Sequence, residues 1–318
     1  MTALEQNLLA IIQDAFPLEE RPYQVLAGRL GSDEQSTFAA VESLRKSGVI
    51  RRIGGVYDSR RLGFVSRLCA GKVADIDRFA ATVNEISAIT HNYVRSHEYN
   101  VWFTVIAQSE GEIHAIVDGL CANTDLRDVH VLSATKKLKI NTVMGTAALK
   151  TESSMRVEKT ESAASGAWRN QSLVCVLSGP DRARISLACT DIPHTLTPFK
   201  DWGVSTEELR DDLAQKRMRR FGAILRHQDA GFAYNAMVCF ATHADAGTVL
   251  AQKPYISHCY ERPVFEGFPY NLYAMMHAQS AAELDQYIKD AAASIGNPEY
   301  AVLNSVRELK KTSFRFFE

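Results

Sequence analysis

The chain contains two copies of the same ordered set of short motifs, and this internal duplication constrains its fold more than any other feature. The motifs Arg-Arg-x-Gly, His-x-Tyr-x-Arg, Tyr-Asn and Val-Leu each occur twice, in the same order and at a nearly constant separation. Their first residues are Arg51, His91, Tyr99 and Val131 in the first copy and Arg219, His258, Tyr270 and Val302 in the second. Chance similarity would not keep one order over so long a stretch, so the sequence predicts a tandem duplication.

Each half begins with a helical region and continues with alternating strands and helices. Residues 4–47 contain three stretches with apolar residues at helical spacing, and Gly54-Gly55 predicts a turn. Together they indicate a helix-turn-helix with a small wing. Residues 65–139 then show the order β-α-β-β-α-β, with one last strand at 129–139, which is the ferredoxin-like arrangement. The second half repeats this order, so the predicted fold class is α+β.

The two halves are joined by a stretch rich in Ser, Ala, Thr and charged residues, a composition that does not bury a core and is typical of a linker. We therefore predict five segments. They are a winged helix-turn-helix at 1–64, a ferredoxin-like module at 65–140, a linker at 141–170, a degenerate helix-turn-helix at 171–231 and a second ferredoxin-like module at 232–318.

The overall charge excludes a general affinity for polyanions. The chain has 36 Lys and Arg against 37 Asp and Glu, so it presents no basic field to nucleic acid or to an anionic membrane. The six cysteines are scattered singly, which favours reduced thiols over disulfides or a metal cage. No apolar stretch is long enough to span a membrane, and the first residues do not resemble a secretory signal. We expect a cytoplasmic protein.

The helix-turn-helix segments do not have the composition of a DNA reader. The predicted recognition helix at 35–47 has Arg45 and Lys46 only at its end, after Glu42. The second copy is shorter by about eight residues, roughly two helical turns. Because symmetric DNA readers need two matched recognition helices, we predict that the chain does not bind DNA specifically.

The two His-x-Tyr-x-Arg motifs are the strongest candidates for a functional site. On a strand, alternate residues share a face, so His91, Tyr93, Arg95 and His97 are predicted to point together. His258, Tyr260 and Arg262 are the corresponding set in the second half. A single histidine on a sheet more often has a structural role, but the same polar triplet in both halves favours a functional one.

Two longer stretches carry a family resemblance. ITHNYVRSHEYNVWF (89–103) resembles one subunit type of siroheme decarboxylase, and SHCYERPVFEGFPYNLYAMMH (257–277) resembles the other. The layout of each half, a helix-turn-helix followed by β-α-β-β-α-β, is similar to that of Lrp/AsnC regulators.

The resemblance implies that two acetate side chains of siroheme, at C12 and C18, lose CO₂ and become methyl groups. The product, 12,18-didecarboxysiroheme, would serve the synthesis of haem d₁ or an alternative haem pathway. The family uses no organic cofactor. The resemblance also implies an intramolecular pseudo-dimer of the two halves, with further copies of the chain or related decarboxylase subunits as partners.

This chemistry suggests roles for specific residues. Arginine binds carboxylates in a bidentate manner, and histidine is a suitable general acid for protonating the carbanion left by CO₂. The predicted catalytic residues are His91, His258, His97, Tyr93 and Tyr260. The predicted substrate-binding residues are Arg51, Arg52, Arg95, Arg219, Arg220, Arg262, Tyr99, Asn100, Trp102, Tyr270 and Asn271. Either His91 or His258 is also a candidate axial ligand of the substrate iron.

Several residues have weaker assignments. Trp102, Phe265, Phe268 and Tyr273 are expected either to pack on the macrocycle or to belong to the core. We predict surface positions for His114, His194 and His243, keep His227 as a weak candidate, and interpret Lys136-Lys137 as a solvated strand end.

Two other functions fit the same layout. One is a transcriptional regulator of the Lrp/AsnC type that senses a small ligand or haem, and the other is a non-catalytic tetrapyrrole-binding partner subunit. Operator binding would indicate the first, and tight binding without turnover would indicate the second.

Overall fold

The computed structural model describes residues 1–140, 174–225, 234–243, 245–312 and 314–317. The predicted linker 141–170 and His227 lie outside these residues. The described helices are α1 Ala3–Ile12, α2 Pro22–Leu30, α3 Glu34–Lys46, α4 Ile76–Glu85, α5 Glu110–Asn123, α6 Gly179–Ala188, α7 Pro198–Trp202, α8 Thr206–Ala214, α9 Ala246–Ala251 and α10 Ala281–Ser294. In the part of the chain that the structure describes, no helix has the length and apolar character needed to cross a bilayer.

The described strands alternate with these helices as the sequence predicts. They are β1 Ile50–Tyr57, β2 Val65–Lys72, β3 Ile89–Arg95, β4 Val101–Ala107, β5 Arg127–Leu132, β6 Lys136–Ile140, β7 Met218–Leu225, β8 Tyr234–Phe240, β9 Ile256–Glu261, β10 Leu272–Ala278 and β11 Tyr300–Lys311. The predicted α+β class, with a helix-turn-helix region before a β-α-β-β-α-β module in each half, is confirmed.

Local signals explain where the first helices begin and end. The Thr2 hydroxyl accepts from the backbone N–H of Glu5 while the Glu5 carboxylate accepts from the backbone N–H of Thr2, a capping box that starts α1. Gly31 ends α2 with φ of 64°, a left-handed conformation that favours glycine, and Asp33 caps α3. The apolar faces of these helices and of β1 pack into one core with the corresponding elements of the second half.

The predicted wing is a sheet shared by the two halves, and the predicted Gly54-Gly55 turn is wrong. Both glycines lie inside β1, which pairs antiparallel with β7 so that Gly54 is opposite Gly222. A Cβ on Gly54 would lie 2.3 Å from the carbonyl oxygen of Thr190, and one on Gly222 would lie 2.5 Å from that of Ile12. Glycine is therefore needed because the backbone of the other half approaches closely, not because the chain turns.

The ferredoxin-like modules exchange strands. The order in the large sheet is β5-β2-β4-β3-β11-β8-β10-β9-β6. The single strand predicted at 129–139 is divided: β5 pairs with β2 of its own half, whereas β6 pairs with β9 of the other half. In the same way, the first part of β11 pairs with β8 and its last part pairs with β3. Each half thus completes the sheet of the other.

The helices cover one face of each module, and the opposite faces share a core. Helices α4 and α5 pack on the first module, and α9 and α10 pack on the second. A further cluster draws on both modules: its buried members are Ala70, Tyr99, Trp102, Leu132, Met237, Cys239, Phe268, Tyr273 and Leu303. The surfaces that carry the two polar triplets are therefore next to the contact between the halves.

The second helix-turn-helix is a shortened copy, and its surface does not suit DNA. Helix α7 has 5 residues and α8 has 9, against 9 in α2 and 13 in α3. Helix α8 carries four acidic residues and one arginine in the sequence TEELRDDLA. In the first copy, the Arg45 guanidinium pairs with Asp191 and its side chain is only 6% exposed, so it does not face outward toward phosphates.

The last strand of each half also holds a helix of the other half. The ammonium of Lys310 donates to the carbonyl oxygens of Val83, Asn84 and Ile86, at the C-terminal end of α4, at 3.2, 3.1 and 2.7 Å. The ammonium of Lys139 donates to the carbonyl oxygen of Lys253 after α9, at 2.6 Å. A cation at a helix C-terminus is stabilising because it satisfies unpaired carbonyls and opposes the helix dipole.

We expect Lys310→Met to destabilise the fold by about 1.5–3 kcal/mol, because three carbonyls lose a charged donor. Arg307→Met on the same strand is the matched control: Arg307 pairs with Asp77 on the surface, where such pairs contribute at most about 1 kcal/mol. Urea unfolding monitored by circular dichroism measures both. Equal losses in the two variants would mean that the helix contact contributes nothing specific.

Candidate functional site

The histidines of the two polar triplets occupy matching positions in the two halves. His91 lies on β3 and His258 lies on β9, and each histidine is next to a buried hydroxyl residue. The Nδ1 atom of His91 lies 3.0 Å from the Thr90 hydroxyl, and the Nδ1 atom of His258 lies 3.0 Å from the Ser257 hydroxyl. In both halves, the contact at Nδ1 orients the imidazole ring on its strand.

His97 does not belong to this surface. Strand β3 ends at Arg95, and His97 lies in the turn before β4, where its Nδ1 atom accepts from the backbone N–H of Tyr99 at 3.1 Å. Its ring contacts the rings of Tyr99 and Phe268. The prediction that His97 shares the face of His91 is wrong, because the strand stops two residues before it.

The arginines of the triplets connect the two halves. Arg95 donates to the carbonyl oxygen of Leu303 at 3.3 Å, and Arg262 donates to the carbonyl oxygen of Leu132 at 2.9 Å. These two leucines are themselves the equivalent members of the repeated Val-Leu motif. Each arginine therefore reaches across to the same position in the other half.

Both guanidiniums are buried against aromatic rings. Arg95 stacks on Tyr93 at 4.8 Å, and Arg262 stacks on Tyr260 at 5.1 Å. Burial lowers the pKa of each guanidinium from its ordinary value. Arg95 is only 4% exposed. These contacts give both arginines a structural role between the halves, which differs from the predicted role as carboxylate ligands.

The two arginines of each Arg-Arg motif lie on opposite faces of the wing sheet and make different contacts. Arg52 donates to the carbonyl oxygens of Thr190 and Gly55, at 3.4 and 3.2 Å. Arg220 makes the equivalent contacts with the carbonyls of Gln13 and Ala223. Arg52 and Arg220 therefore each hold a wing strand to the other half, Arg52 after α6 and Arg220 after α1. Their role in substrate binding stays a prediction.

The first arginine of each motif is close to the triplets instead. Arg219 is exposed and donates to the carbonyl oxygen of Tyr57 at 3.1 Å. Burial raises the pKa of Tyr260 and lowers that of His258, and the nearby charge of Arg219 acts to lower both. Burial and the Glu308 carboxylate raise the pKa of Tyr93, and the nearby charge of Arg51 opposes this. Of the four predicted arginines on the wing strands, the structure brings these two to the polar triplets.

The asparagines of the two Tyr-Asn pairs each hold a loop of their own module. The Asn100 amide accepts from and donates to the backbone of Val73, and the Asn271 amide does the same with Thr242. Both amide atoms are thereby engaged in holding a loop. The Tyr270 hydroxyl contacts Glu299 at 3.3 Å.

The aromatic residues near this pair belong mainly to the core between the halves. The Tyr99 hydroxyl lies 3.1 Å from Asp128, and the Trp102 indole donates to the carbonyl oxygen of Tyr99 at 2.8 Å. Trp102, Phe268 and Tyr273 are buried in the cluster that joins the modules. We therefore favour the core alternative for these rings over packing on a macrocycle.

The structure places two further residues beside His258 that the sequence patterns did not reveal. The pKa of His258 is lowered to about 3, first by burial and then by the nearby His277, His91, Arg219 and Lys137. We call these five side chains the histidine cluster. His277 lies on β10, two residues beyond Met275, which is directly opposite His258. Once the register is known, alternation along β10 identifies it, but the sequence alone does not give that register.

Lys137 corrects a second interpretation. It is partly buried and directly opposite Tyr260, because β6 crosses to pair with β9. The prediction of a solvated strand end assumed that the strand stayed in its own half. The adjacent Asp58 has its pKa lowered to about 2: burial acts to raise it, but a hydrogen bond from Arg60 and the charges of Arg219, Arg60 and Lys137 prevail.

The depressed pKa of His258 predicts acid sensitivity. The ordinary pKa of a histidine is 6.5 and that of His258 in the fold is about 3, so the unfolded chain binds more protons between these values. Stability from this group is therefore complete above about pH 6.5 and declines as the pH falls toward 3. We expect His258→Gln to flatten the dependence of urea midpoint on pH between 4 and 6.5, and His114→Gln on the exposed face of α5 to retain the parent slope. Parallel slopes in all three proteins would contradict this assignment.

Three of the other described histidines lie at the surface, as predicted: His114, His194 and His243. His194 pairs with Glu42 and Asp191, each at 3.3 Å, at the surface of the first helix-turn-helix. His114 and His243 are exposed. Among the described residues, no group of three or more His, Cys, Asp or Glu side chains is arranged to hold a metal ion.

The chain is similar to known proteins along nearly its whole length. The family model of the AsnC-like ligand binding domain matches residues 61–139 and 229–310, and that of the siroheme decarboxylase NirDL-like HTH domain matches residues 5–51. A siroheme decarboxylase of Hydrogenobacter thermophilus is 31% identical over 98% of this chain and 94% of its own length.

Two further relatives bear on the duplication and on the ligand. The siroheme decarboxylase alpha subunit of Desulfovibrio desulfuricans is 46% identical over 44% of this chain and 82% of its own length. The crystal structure of the siroheme decarboxylase NirDL in co-complex with an iron-uroporphyrin III analogue superimposes with a TM-score of 0.68, at 28% identity, over 99% of this chain and 95% of that one. By sequence along both halves and by fold, the chain belongs to the siroheme decarboxylase family.

Proposed function

We propose that this chain decarboxylates siroheme, and that the histidine cluster is where the tetrapyrrole binds. The observation that supports this most directly is the convergence of His91, His258 and His277 from three strands beside Arg219 and Lys137. Such a surface offers imidazole nitrogens to an iron and cations to carboxylates. The full-length relative is named a siroheme decarboxylase, and the related NirDL structure holds an iron tetrapyrrole analogue.

His258 is the better candidate for the iron ligand. Burial and neighbouring cations keep its imidazole neutral at ordinary pH, the form that coordinates a metal. Its Nδ1 atom is engaged with the Ser257 hydroxyl, which orients the ring and presents Nε2. The iron belongs to the substrate, and it anchors the macrocycle beside the cations of the cluster.

His91 is the better candidate for the proton donor. It lies on the strand of the other half, and its side chain is exposed, so it can regain a proton from solvent. In the reaction, the bond between the acetate methylene and its carboxylate breaks, CO₂ leaves, and the electron pair stays on the methylene carbon. The conjugated macrocycle delocalises that pair, and the His91 proton is transferred to the carbon to give a methyl group. The balance requires one proton for each CO₂ and no oxidant or reductant. Because the macrocycle itself takes up the electron pair, we infer that no organic cofactor takes part.

Anaerobic incubation of the purified protein with siroheme, followed by mass spectrometry, tests this function. We expect a product lighter by two CO₂, with the acetates at C12 and C18 converted to methyl groups. Such a product would serve the synthesis of haem d₁ or an alternative haem pathway. An unchanged mass with tight binding would instead identify a tetrapyrrole carrier, and related decarboxylase subunits would then be the partners to add.

We also propose that the helix-turn-helix regions pack the two halves into an intramolecular pseudo-dimer and do not read DNA. The support is the buried Arg45 and the acidic α8. Footprinting at physiological salt is expected to show no protected operator. A protected site would favour a regulator of the Lrp/AsnC type.

A further inference from the structure

The two polar triplets are equivalent in sequence but face opposite charges. On β3, Tyr93 is directly opposite Glu308 of β11. On β9, Tyr260 is directly opposite Lys137 of β6. Residues directly opposite each other in an antiparallel pair project on the same face. The strand exchange therefore places an acid beside one tyrosine and a base beside the other, at positions that correspond in the two halves.

The surroundings extend this difference. The Tyr93 hydroxyl is hydrogen-bonded to the Glu308 carboxylate, and the nearby cation is Arg51. Around Tyr260 lie Arg219, Arg60 and Asp58, in addition to Lys137. The Asp58 carboxylate is paired with Arg60, at 3.2 Å. Apart from the equivalent stacked arginines, the charges that act on Tyr93 are those of Glu308 and Arg51, whereas Arg219, Arg60 and Asp58 act on Tyr260, which also lies opposite Lys137.

We propose that Lys137 and Glu308 make the two halves unequal as binding sites, so that one tetrapyrrole binds per chain with its carboxylates toward Lys137. The inference rests on the proposed function, because it takes a polycarboxylate tetrapyrrole as the ligand. Lys137 and Arg219 attract the substrate carboxylates on the side of Tyr260. Glu308 repels the same groups on the side of Tyr93, since like charges at close range disfavour binding.

This arrangement also gives His91 and His258 their separate roles. A macrocycle held on the side of Tyr260 has its iron next to His258. His91 then approaches the same ligand from the other half, as a residue that contributes to the site without a site of its own. The triplet of the second half thus binds the ligand, and the triplet of the first half delivers the proton.

Titration of the full chain with iron-uroporphyrin III, followed by the Soret band under anaerobic conditions, tests the inference. We expect one equivalent per chain. Lys137→Glu is expected to weaken binding roughly 10- to 100-fold through the loss of a charge-assisted contact, and Lys137→Gln is expected to weaken it less. The matched control is Lys136→Glu, which makes the same charge change on the same strand, where Lys136 pairs with Glu261 at 3.6 Å.

Two variants on the other side complete the test. Glu308→Gln is expected to retain the parent affinity within about twofold, since carboxylates bind elsewhere. Two equivalents per chain, equal effects of Lys137→Glu and Lys136→Glu, or a loss of binding in Glu308→Gln would overturn the inference. Circular dichroism confirms that each variant is folded. The titration measures binding and needs no turnover, so a chain that binds as expected but releases no CO₂ would refute the proposed function and leave this inference intact.

Discussion

Replacing His91 with alanine is expected to lower the rate of CO₂ release roughly 10²- to 10⁴-fold, the usual contribution of a general acid. The Soret spectrum of the complex is expected to stay nearly unchanged, because His91 does not hold the iron. Its exposed position on β3, next to His258, is the structural basis of this expectation. Single-turnover CO₂ release and the absorption spectrum of the same sample measure the two effects together.

His258→Ala is the companion variant, and it separates the two roles. The loss of the iron ligand is expected to shift the Soret band and to weaken binding. If His91→Ala and His258→Ala produce identical spectral and kinetic losses, the two histidines act symmetrically and the division of roles is wrong. If His91→Ala releases CO₂ at the parent rate, another group delivers the proton.

The second large expected effect concerns stability and lies far from the histidine cluster. Asp212, on α8, is fully buried. Its carboxylate pairs with Arg217 at 2.7 Å and with Arg184 at 3.1 Å, and it accepts from the Tyr57 hydroxyl at 2.8 Å. These contacts join the second helix-turn-helix to the wing strand of the first half.

We expect Asp212→Ala to destabilise the fold by about 3–5 kcal/mol, because two buried guanidiniums lose their shared acid. Asp211→Asn is the control: Asp211 pairs with the same Arg217 but its side chain is half exposed, so its loss is expected to stay near 1 kcal/mol or below. The free energies of unfolding in urea compare the two. A loss below about 1 kcal/mol in Asp212→Ala would show that the buried network contributes little.

The duplication and the strand alternation were sufficient to predict the fold class and the two triplets. Repeated motifs require repeated structure, and the periodicity of apolar residues distinguishes helices from strands. The correspondence of His91 in the first half to His258 in the second follows from the same repeat. These predictions succeeded because they depend on local patterns and on internal similarity.

The strand exchange was not predictable, and it explains why the last strand of the first half and Lys137 were wrongly assigned. A sequence pattern identifies a strand but not its partner, so the crossing of β6 to β9 could not be seen. The expectation that Lys137 lies in solvent fails for this reason. His277 is a separate case, because the sequence does not give the register of β10 against β9. Gly54 was assigned to a turn because a close approach by another segment leaves the same signal as a turn.

A polar residue can recur in a repeated motif for a structural reason or for a functional one. Asn100 and Asn271 recur because each holds the loop of its module, and Arg52 and Arg220 recur because each holds a wing strand. Duplication preserves structural contacts as faithfully as functional ones. Only the distances to other groups distinguish Arg219 from its neighbour Arg220.

The position of the substrate iron tests the account most directly. Crystals of the complex with iron-uroporphyrin III, measured at the iron absorption edge, would locate it by anomalous scattering. We predict one iron per chain, bonded to Nε2 of His258, with the macrocycle carboxylates toward Lys137 and Arg219. An iron bound beside Tyr93 and Glu308, or in the surface depression lined by His114, His130 and Phe265, would contradict the account.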